Sequence, residues 1–527
     1  MRAADAPALV ARRSPSASAG DVAPAVLRAA LECLRPVFGG AGAPSRLRAA
    51  WEESEADPDL PPERCLPIGP DRLDRLPALF AARLAKFCGA DWPAWAARLG
   101  ATAAQAPASL RPAIATLLYR ALFPFEALIT WPPEVLFTES EVALLDGLAQ
   151  PARPVAGAAF AWSPGHPVDY GGYVCAIVKV TRLCNLRCTY CHDWREGPGQ
   201  VMTFPVQARL FAALMGDPGH GTIDIVWHGG ESTMIGRRQV LRMLYLQRVF
   251  ARPGQTLKNR LQTNGTRLDD AWVRLLGRYD FGVGLSLDGP AEIHDRSRVD
   301  AAGGPTFAAA ARGLRLVREA GLLSHVYLVV TEQVISLGAE AVLAFLRHHG
   351  IDFVGMLPER PANRADAAAA QLARERYLGF LLELHRVRQR SSDPVVRIRE
   401  LDALLRAARG QMPGHCEVLG NCAGHFFSIE PDGSVFHCDK FIGDTGFRVG
   451  DVRIETFAQM RAAPALQRIR RQTAEIIAGF TDCPHSATCQ GWCPHEAYLS
   501  RLAGADASGC CGLAPFFNAL SAAEATA

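Results

Sequence analysis

From residue 173 onward the chain repeats one pattern that leaves few folds open: a short apolar run, a polar or glycine-rich turn, then a segment of helical period. The runs at 173–180 (YVCAIVKV), 222–228 (TIDIVWH), 257–263 (LKNRLQT), 281–287 (FGVGLSL), 325–330 (HVYLVV) and 353–357 (FVGML) have the length and composition of strands. Segments such as FPVQARLFAALMG and TFAAAARGLRLVREAG between them read as helices. Strands joined through helices run parallel, so the fold class is α/β, with a sheet that is open or curled into a partial or full barrel. In such folds the reactive loops gather at the C-terminal ends of the strands. The unusual sequence falls there: clustered cysteines after the first run, HGGE after the second, TNG after the third and LDG after the fourth.

The cysteine cluster reads RLCNLRCTYCHDW, with thiols at Cys184, Cys188 and Cys191. A structural zinc site wants four N or S ligands, usually in close pairs, and this loop offers three. Three thiolates on an iron–sulfur cubane leave one iron open to an external ligand, which is a catalytic arrangement. Incidental or zinc-binding thiols are the alternative, and they leave the later strand-end motifs unexplained.

Before residue 173 the character differs. Residues 1–20 are rich in Ala and Ser and are expected to be disordered. Residues 21–150 show helical period in APAVLRAALECLRPVF, LPALFAARLAKFCGADWPAWAARL and RPAIATLLYRALFPFEAL, with no catalytic signature, and 151–172 is a proline- and glycine-rich linker. The helical region is a candidate module for holding a peptide leader, docking a partner or extending the packing. Its lack of strand pattern argues against leader capture by strand addition. With 56 basic and 53 acidic residues and no basic run interleaved with aromatics, nucleic acid is not an expected partner. There is no signal peptide pattern and no apolar run of membrane-spanning length, so the expected location is the cytoplasm, without a membrane partner. In a reducing compartment fifteen cysteines point to metal rather than to disulfides, while the isolated Cys33, Cys65, Cys88 and Cys175 read as small buried residues.

CNLRCTYC resembles the CxxxCxxC signature of the radical S-adenosylmethionine (SAM) enzymes, and the strand-end motifs follow in that superfamily's order over roughly residues 170–515. The resemblance implies a partial (β/α)6 TIM-like barrel at 173–400 and a [4Fe-4S] cluster on Cys184, Cys188 and Cys191 whose open iron chelates SAM. It further implies that Gly229, Gly230 and Glu231 receive the SAM amino group, that Tyr190 lies near the adenine, and that Thr263 and Asn264 lie near SAM. Ser286 and Arg298 are implied to hold its ribose or carboxylate. Arginine suits a carboxylate because its planar fork makes two charge-assisted bonds. Asp288, His294 and Asp295 are candidates either for shaping this loop or for direct contact.

A second cysteine-rich stretch, 410–515, resembles the SPASM domain of peptide-modifying radical SAM enzymes; residues 516–527 are a C-terminal tail. This resemblance implies a four-thiolate set for one auxiliary cluster, Cys416, Cys422, Cys438 and Cys493, and a second set of Cys483, Cys489 and Cys510 or Cys511. The second set departs from the family pattern, which opens with a CxxC pair whose first position is Phe480 here. An open iron, the doubled Cys510–Cys511, a substitute such as Asp482 or His485, a smaller cluster and an empty site all remain open.

The implied activity is reductive cleavage of SAM by an electron from a donor such as flavodoxin or ferredoxin, followed by hydrogen-atom abstraction and a net two-electron oxidation. Asp439 matches the aspartate that similar sulfatase-maturing enzymes use as base. The expected substrate is a ribosomally made precursor peptide, and the expected product a cyclophane joining an aromatic ring carbon to a β-carbon. Formylglycine in a sulfatase, or a thioether, begins with the same radical. A degenerate iron–sulfur protein that only binds a peptide is the non-enzymatic alternative; it predicts damage to CxxxCxxC or GGE, and both are intact.

Overall fold

The structure, a computed structural model, describes residues 24–38, 92–111, parts of 113–128, 133–148, 170–191, 199–359, 367–479, 482–496, 498 and 512–525. Residues 1–20, most of the linker, Cys65, Cys88, Phe480, Cys510 and Cys511 lie outside the described residues.

The six apolar runs are six strands: β1 (Tyr173–Thr181), β2 (Thr222–Gly229), β3 (Thr256–Thr263), β4 (Phe281–Ser286), β5 (Leu323–Val330) and β6 (Phe353–Pro358). They pair in sequence order and all in parallel. Helices Phe204–Gly216, Arg237–Phe250, Asp270–Arg278, Phe307–Glu319 and Ala339–His348 form the crossovers. Each begins where local chemistry permits; at Asp270–Arg278, for example, the Asp269 carboxylate accepts the free Trp272 N–H at 2.8 Å. β1 and β2 are buried along most of their length on both faces, which is why they read as near-continuous apolar runs, whereas β3 alternates buried and exposed residues.

The sheet extends at both ends. A short strand β7 (Arg397–Ile398) follows β6 in parallel. On the other side β8 (Phe426–Ile429) adds in parallel to β1, and β9 (Ser434–His437) and β10 (Arg448–Asp451) continue antiparallel. The result is one ten-stranded sheet in the order β10-β9-β8-β1-β2-β3-β4-β5-β6-β7. β1 pairs with β2 and β8 rather than with β6, so the barrel is partial, as expected. The second cysteine-rich region thus grows directly out of the barrel's first strand.

In the N-terminal region the described elements are helical, including Pro24–Phe38, Trp92–Gln105 and Glu139–Leu148. The last of these docks on the outside of the barrel. Phe137, just before it, packs against Phe204 and Tyr245 with ring centroids 5.4 and 5.3 Å away, and Arg242 pairs with Glu141. One expectation needs correction: the C-terminal tail is a helix, Ala514–Ala525, whose Phe516, Phe517 and Leu520 are buried in the core. Apolar residues at this spacing share a helical face, and burying them holds the end of the chain. Among the described residues no helix is long and apolar enough to cross a membrane.

Candidate active site

The strand ends converge around the cysteine loop. Gly230 N–H donates to Thr181 O at 2.8 Å and Glu231 N–H to Leu183 O at 2.7 Å, so the turn after β2 lies flat against the backbone leaving β1. The two glycines permit this approach: a Cβ on Gly229 would stand 2.2 Å from Thr181 O, and one on Gly230 the same distance from Leu183 O.

Glu231 is 1 % exposed, and its carboxylate ties the loops together. Oε1 accepts from the hydroxyls of Thr233 and Thr263, both at 2.7 Å, and from Thr233 N–H at 3.1 Å; Oε2 accepts from Asn264 N–H at 2.7 Å. Further acceptor capacity lies on Oε2, since a carboxylate oxygen takes more than one donor. Asn264 donates to Asn185 Oδ1 at 3.0 Å, and Asn185 donates to Thr266 Oγ1 at 2.8 Å, which fastens the cysteine loop to the end of β3. Ser286, at the end of β4, accepts from Gln262 at 3.1 Å.

Arg298 reaches the cysteine loop through Asp288. Its Nε and Nη2 donate to the two Asp288 oxygens at 2.8 and 3.3 Å, Tyr190 OH donates to the same carboxylate, and the guanidinium lies 5.5 Å from the Tyr190 ring centroid. Val329 N–H completes the set at 2.9 Å. The fork expected to hold a SAM carboxylate is therefore engaged by Asp288. Burial disfavours the charged guanidinium, but Asp288 outweighs it and holds the Arg298 pKa well above its ordinary value. His294 Nε2 lies 3.2 Å from Thr306 Oγ1, and Asp295 accepts the Thr306 and Phe307 N–H groups at 2.8 Å; both shape the loop.

Inside the barrel, below these strand ends, is a cavity of about 660 Å³. Tyr190 and His228 line it toward the cysteine loop, and Cys416, Cys438, Asp439 and Lys440 toward the second cysteine region. Asp439 sits two residues past the end of β9, and because β8 and β9 extend the sheet from β1, its carboxylate meets Lys179 of β1 at 2.9 Å. Burial raises the Asp439 pKa, but Lys179, with His228 and Arg182, outweighs it and holds the carboxyl well below the usual range. The group stands as an anion on the cavity wall.

The same extension gathers Cys416, Cys422, Cys438 and Cys493 closely enough that their charges interact. Cys438 turns at φ +63° to leave β9. Burial pushes its thiol up to about 11, with Cys493 adding to the shift. Of the second set, Cys489 is buried and Cys483 half-buried, and the His485 ring is engaged with Asn518 at 2.7 Å.

Both groups fit iron–sulfur clusters by donor chemistry. Burial pushes the Cys184 thiol up to about 12, with Glu231, Cys188 and Cys191 contributing, so the loop favours thiolates only when a metal supplies positive charge. Among the described residues no three or more His, Cys, Asp or Glu side chains form a group that could hold a single metal ion. A cluster makes a different demand, since each thiolate binds its own iron.

Several residues escaped the sequence reading: Lys179, the buried Arg182–Glu430 pair, His228 and Arg260. Lys179 left a signal, being the one charge in the apolar run YVCAIVKV.

Comparison with known proteins agrees with this geometry. Residues 178–336 match the Radical SAM superfamily. The serine-type anaerobic sulfatase-maturating enzyme of Bacteroides thetaiotaomicron is 26 % identical over 353 residues, 62 % of this chain and 83 % of that protein. A cysteine-type counterpart from Clostridium perfringens is 26 % identical over 325 residues, 59 % of this chain and 85 % of its own length. A solved structure titled native anSMEcpe with bound AdoMet superposes at a TM-score of 0.55 and 23 % identity, covering 66 % of this chain and 98 % of that one, which supports the fold. Residues 178–336 therefore form a radical SAM domain, and the chain is a radical SAM enzyme similar to the anaerobic sulfatase-maturating enzymes.

Proposed function

We propose that the protein oxidises a side chain of a polypeptide inserted into the 660 Å³ cavity, joining an aromatic ring carbon to a neighbouring β-carbon. The observation that carries this is the lining: an ionised carboxylate, Asp439, in a chamber walled by Tyr173, Tyr190, Tyr327, Phe353 and Phe426. Its size is that of an enclosed small-molecule site, and its rings suit an aromatic side chain beside the one attacked.

When bound at Cys184, Cys188 and Cys191, the cluster and SAM supply a 5′-deoxyadenosyl radical that abstracts a hydrogen atom. Glu231, Asn264, Ser286 and Tyr190 surround the place where SAM would lie. In this reading Asp439 takes the proton lost from the ring carbon, and its ion pair with Lys179 supports its being ionised. Cys438 immediately precedes Asp439, so the four-thiol group adjoins the point where an electron must also leave. Cys483 and Cys489, with Cys510 or Cys511, would hold a second auxiliary cluster. A flavodoxin or ferredoxin would supply the starting electron, and described cysteines that form no disulfide fit a cytoplasmic setting.

Similarity to the sulfatase-maturating enzymes favours a second reading, oxidation of a cysteine or serine to formylglycine. The test is anaerobic co-expression with a candidate precursor peptide carrying an aromatic residue, followed by tandem mass spectrometry. A product that has lost hydrogen, resists fragmentation between an aromatic residue and its neighbour and ignores aldehyde probes supports the crosslink. A hydrazide-reactive product overturns it in favour of formylglycine.

A further inference from the structure

The cavity contains a cation that the proposed chemistry does not use. Arg260 is on β3 and faces Gly282 of β4, a neighbour without a side chain to fill the space beside it. Its Nε donates to Asp224 Oδ1 at 3.0 Å and its Nη2 to Oδ2, while Tyr173 OH donates to the same carboxylate at 3.0 Å. Asp224 is fully buried, yet the Arg260 side chain is 44 % exposed within the cavity lining. Asp224 therefore fixes the guanidinium from behind. Nη1 has no hydrogen-bond partner among the described residues.

Among the charged side chains of the lining, basic ones outnumber acidic ones. The lining holds Lys179, Arg260, Arg399 and Lys440 against Asp439 and Glu417. Both anions are committed, Asp439 to Lys179 and Glu417 to Lys440, and Arg399 is occupied by Glu400 and Tyr327. Arg260 lies on β3 four residues before Asn264, which follows the strand's end, on the order of 13 Å from the SAM end of the barrel. It is thus separate from the proposed SAM site.

We infer that Arg260, held by Asp224, binds a carboxylate of the polypeptide substrate and thereby sets which residue is presented for oxidation. The inference rests on the proposed polypeptide substrate. The carboxylate is either an acidic side chain or the chain end, and a planar fork with an open N–H accepts both.

The test uses three blocked dipeptides on the reconstituted holoenzyme, followed by anaerobic calorimetry or saturation-transfer NMR. They are acetyl-phenylalanyl-aspartate with an amidated end, acetyl-phenylalanyl-alanine with a free carboxyl end, and the neutral acetyl-phenylalanyl-asparagine amide. At least one acid should bind on the order of 10-fold more tightly than the neutral dipeptide, and which one does so identifies the source of the carboxylate. Arg260→Met combined with Asp224→Asn removes both charges together, leaving no buried carboxylate unpaired, and the asparagine amide still accepts from Tyr173. Melting temperature verifies that the double variant is folded. Arg260→Lys provides a second variant that keeps the charge and loses the fork.

Loss of the acid preference in the double variant, with a reduced preference in Arg260→Lys, supports the assignment. Equal binding of acids and amide, no binding by any dipeptide, or a preference unchanged by the double variant overturns it. Any of these leaves the polypeptide reading standing, because that is decided separately by the co-expressed product.

Discussion

Lys179 and Asp439 form an ion pair at 2.9 Å in which the cation is the buried member, 2 % exposed, while the carboxylate is 38 % exposed and fronts the cavity. The pair spans the join between β1 and the β8–β9 hairpin. In the proposed function Lys179 is a positioning residue and Asp439 the group that would meet substrate. Asp439→Asn should suppress crosslinked product by about 100-fold, within the usual range for a general base, while 5′-deoxyadenosine still forms. Lys179→Met should lower product by about 10-fold, and the double variant should be no worse than Asp439→Asn alone, because the lysine acts through the aspartate. Additive losses in the rate of product formation would detach Lys179 from the base.

Replacing Cys184, Cys188 and Cys191 together by Ala should abolish reductive SAM cleavage and leave iron bound at the second cysteine region. Cys416, Cys422 and Cys438 flank β8 and β9 and Cys493 follows the helical turn Ser486–Cys489, none of them in the loop after β1, so their grouping does not depend on it. Iron and sulfide analysis with a 5′-deoxyadenosine assay checks this. Cleavage retained by the triple variant would remove the loop from the chemistry.

Much of this was legible in advance because most of the parallel strands are buried enough to announce themselves as apolar runs, and six were placed to within about two residues. The extension of the sheet was not. FFSI and SVFH are short, and nothing local says that Cys175 will face Phe426 across some 250 residues. That pairing is what carries Asp439 to Lys179. Side-chain roles were legible only by position: Gly230 and Glu231 stand where expected, but the carboxylate's bonds to Thr233, Thr263 and Asn264 and the Arg298–Asp288 pairing depend on loops meeting in space. The C-terminal helix was missed because Ala, Ser and a few apolar residues at a chain end resemble a frayed tail.

His220 joins the barrel to the C-terminal region and should make stability depend on acidity. Its Nε2 lies 2.8 Å from Arg461 Nη1, which can only donate, so the proton is on Nδ1, which donates to Leu214 O at 2.8 Å. Burial pushes its pKa down to about 4, with Arg461 and Arg252 aiding and Asp217 opposing. The unfolded histidine titrates near 6.5. Between these values the unfolded chain takes up a proton that the folded one refuses, so stability falls as pH drops from about 6.5 to about 4 and levels off below, by up to about 3 kcal/mol for this group. His220→Gln keeps a donor and an acceptor without the titration. Its unfolding free energy, measured in denaturant across that window, should fall less steeply, though not flatly, because His294, His425 and His437 are also pushed down to about 4. Superimposable curves would exonerate His220.

Gly230 offers the sharpest test of how the cysteine loop is held. A Cβ there would lie 2.2 Å from Leu183 O and 2.6 Å from Arg182 O, so the obstacle is backbone on both counts and no side chain can swing away. Gly230→Ala must separate the turn after β2 from the chain leaving β1, breaking the Glu231 N–H bond to Leu183 O, while the buried strands are untouched. Overpacking of this kind costs about 1–3 kcal/mol, too little to unfold a large core but enough to displace a loop. The variant should keep its far-ultraviolet circular dichroism and the iron of the second cysteine region, and lose the electron paramagnetic resonance signal that responds to SAM. Gly199→Ala, where nothing lies within 4 Å of an added Cβ, is the control and should behave as wild type. A SAM-responsive signal of full intensity in Gly230→Ala would mean that the contact between the two loops does not set the geometry of the cysteines.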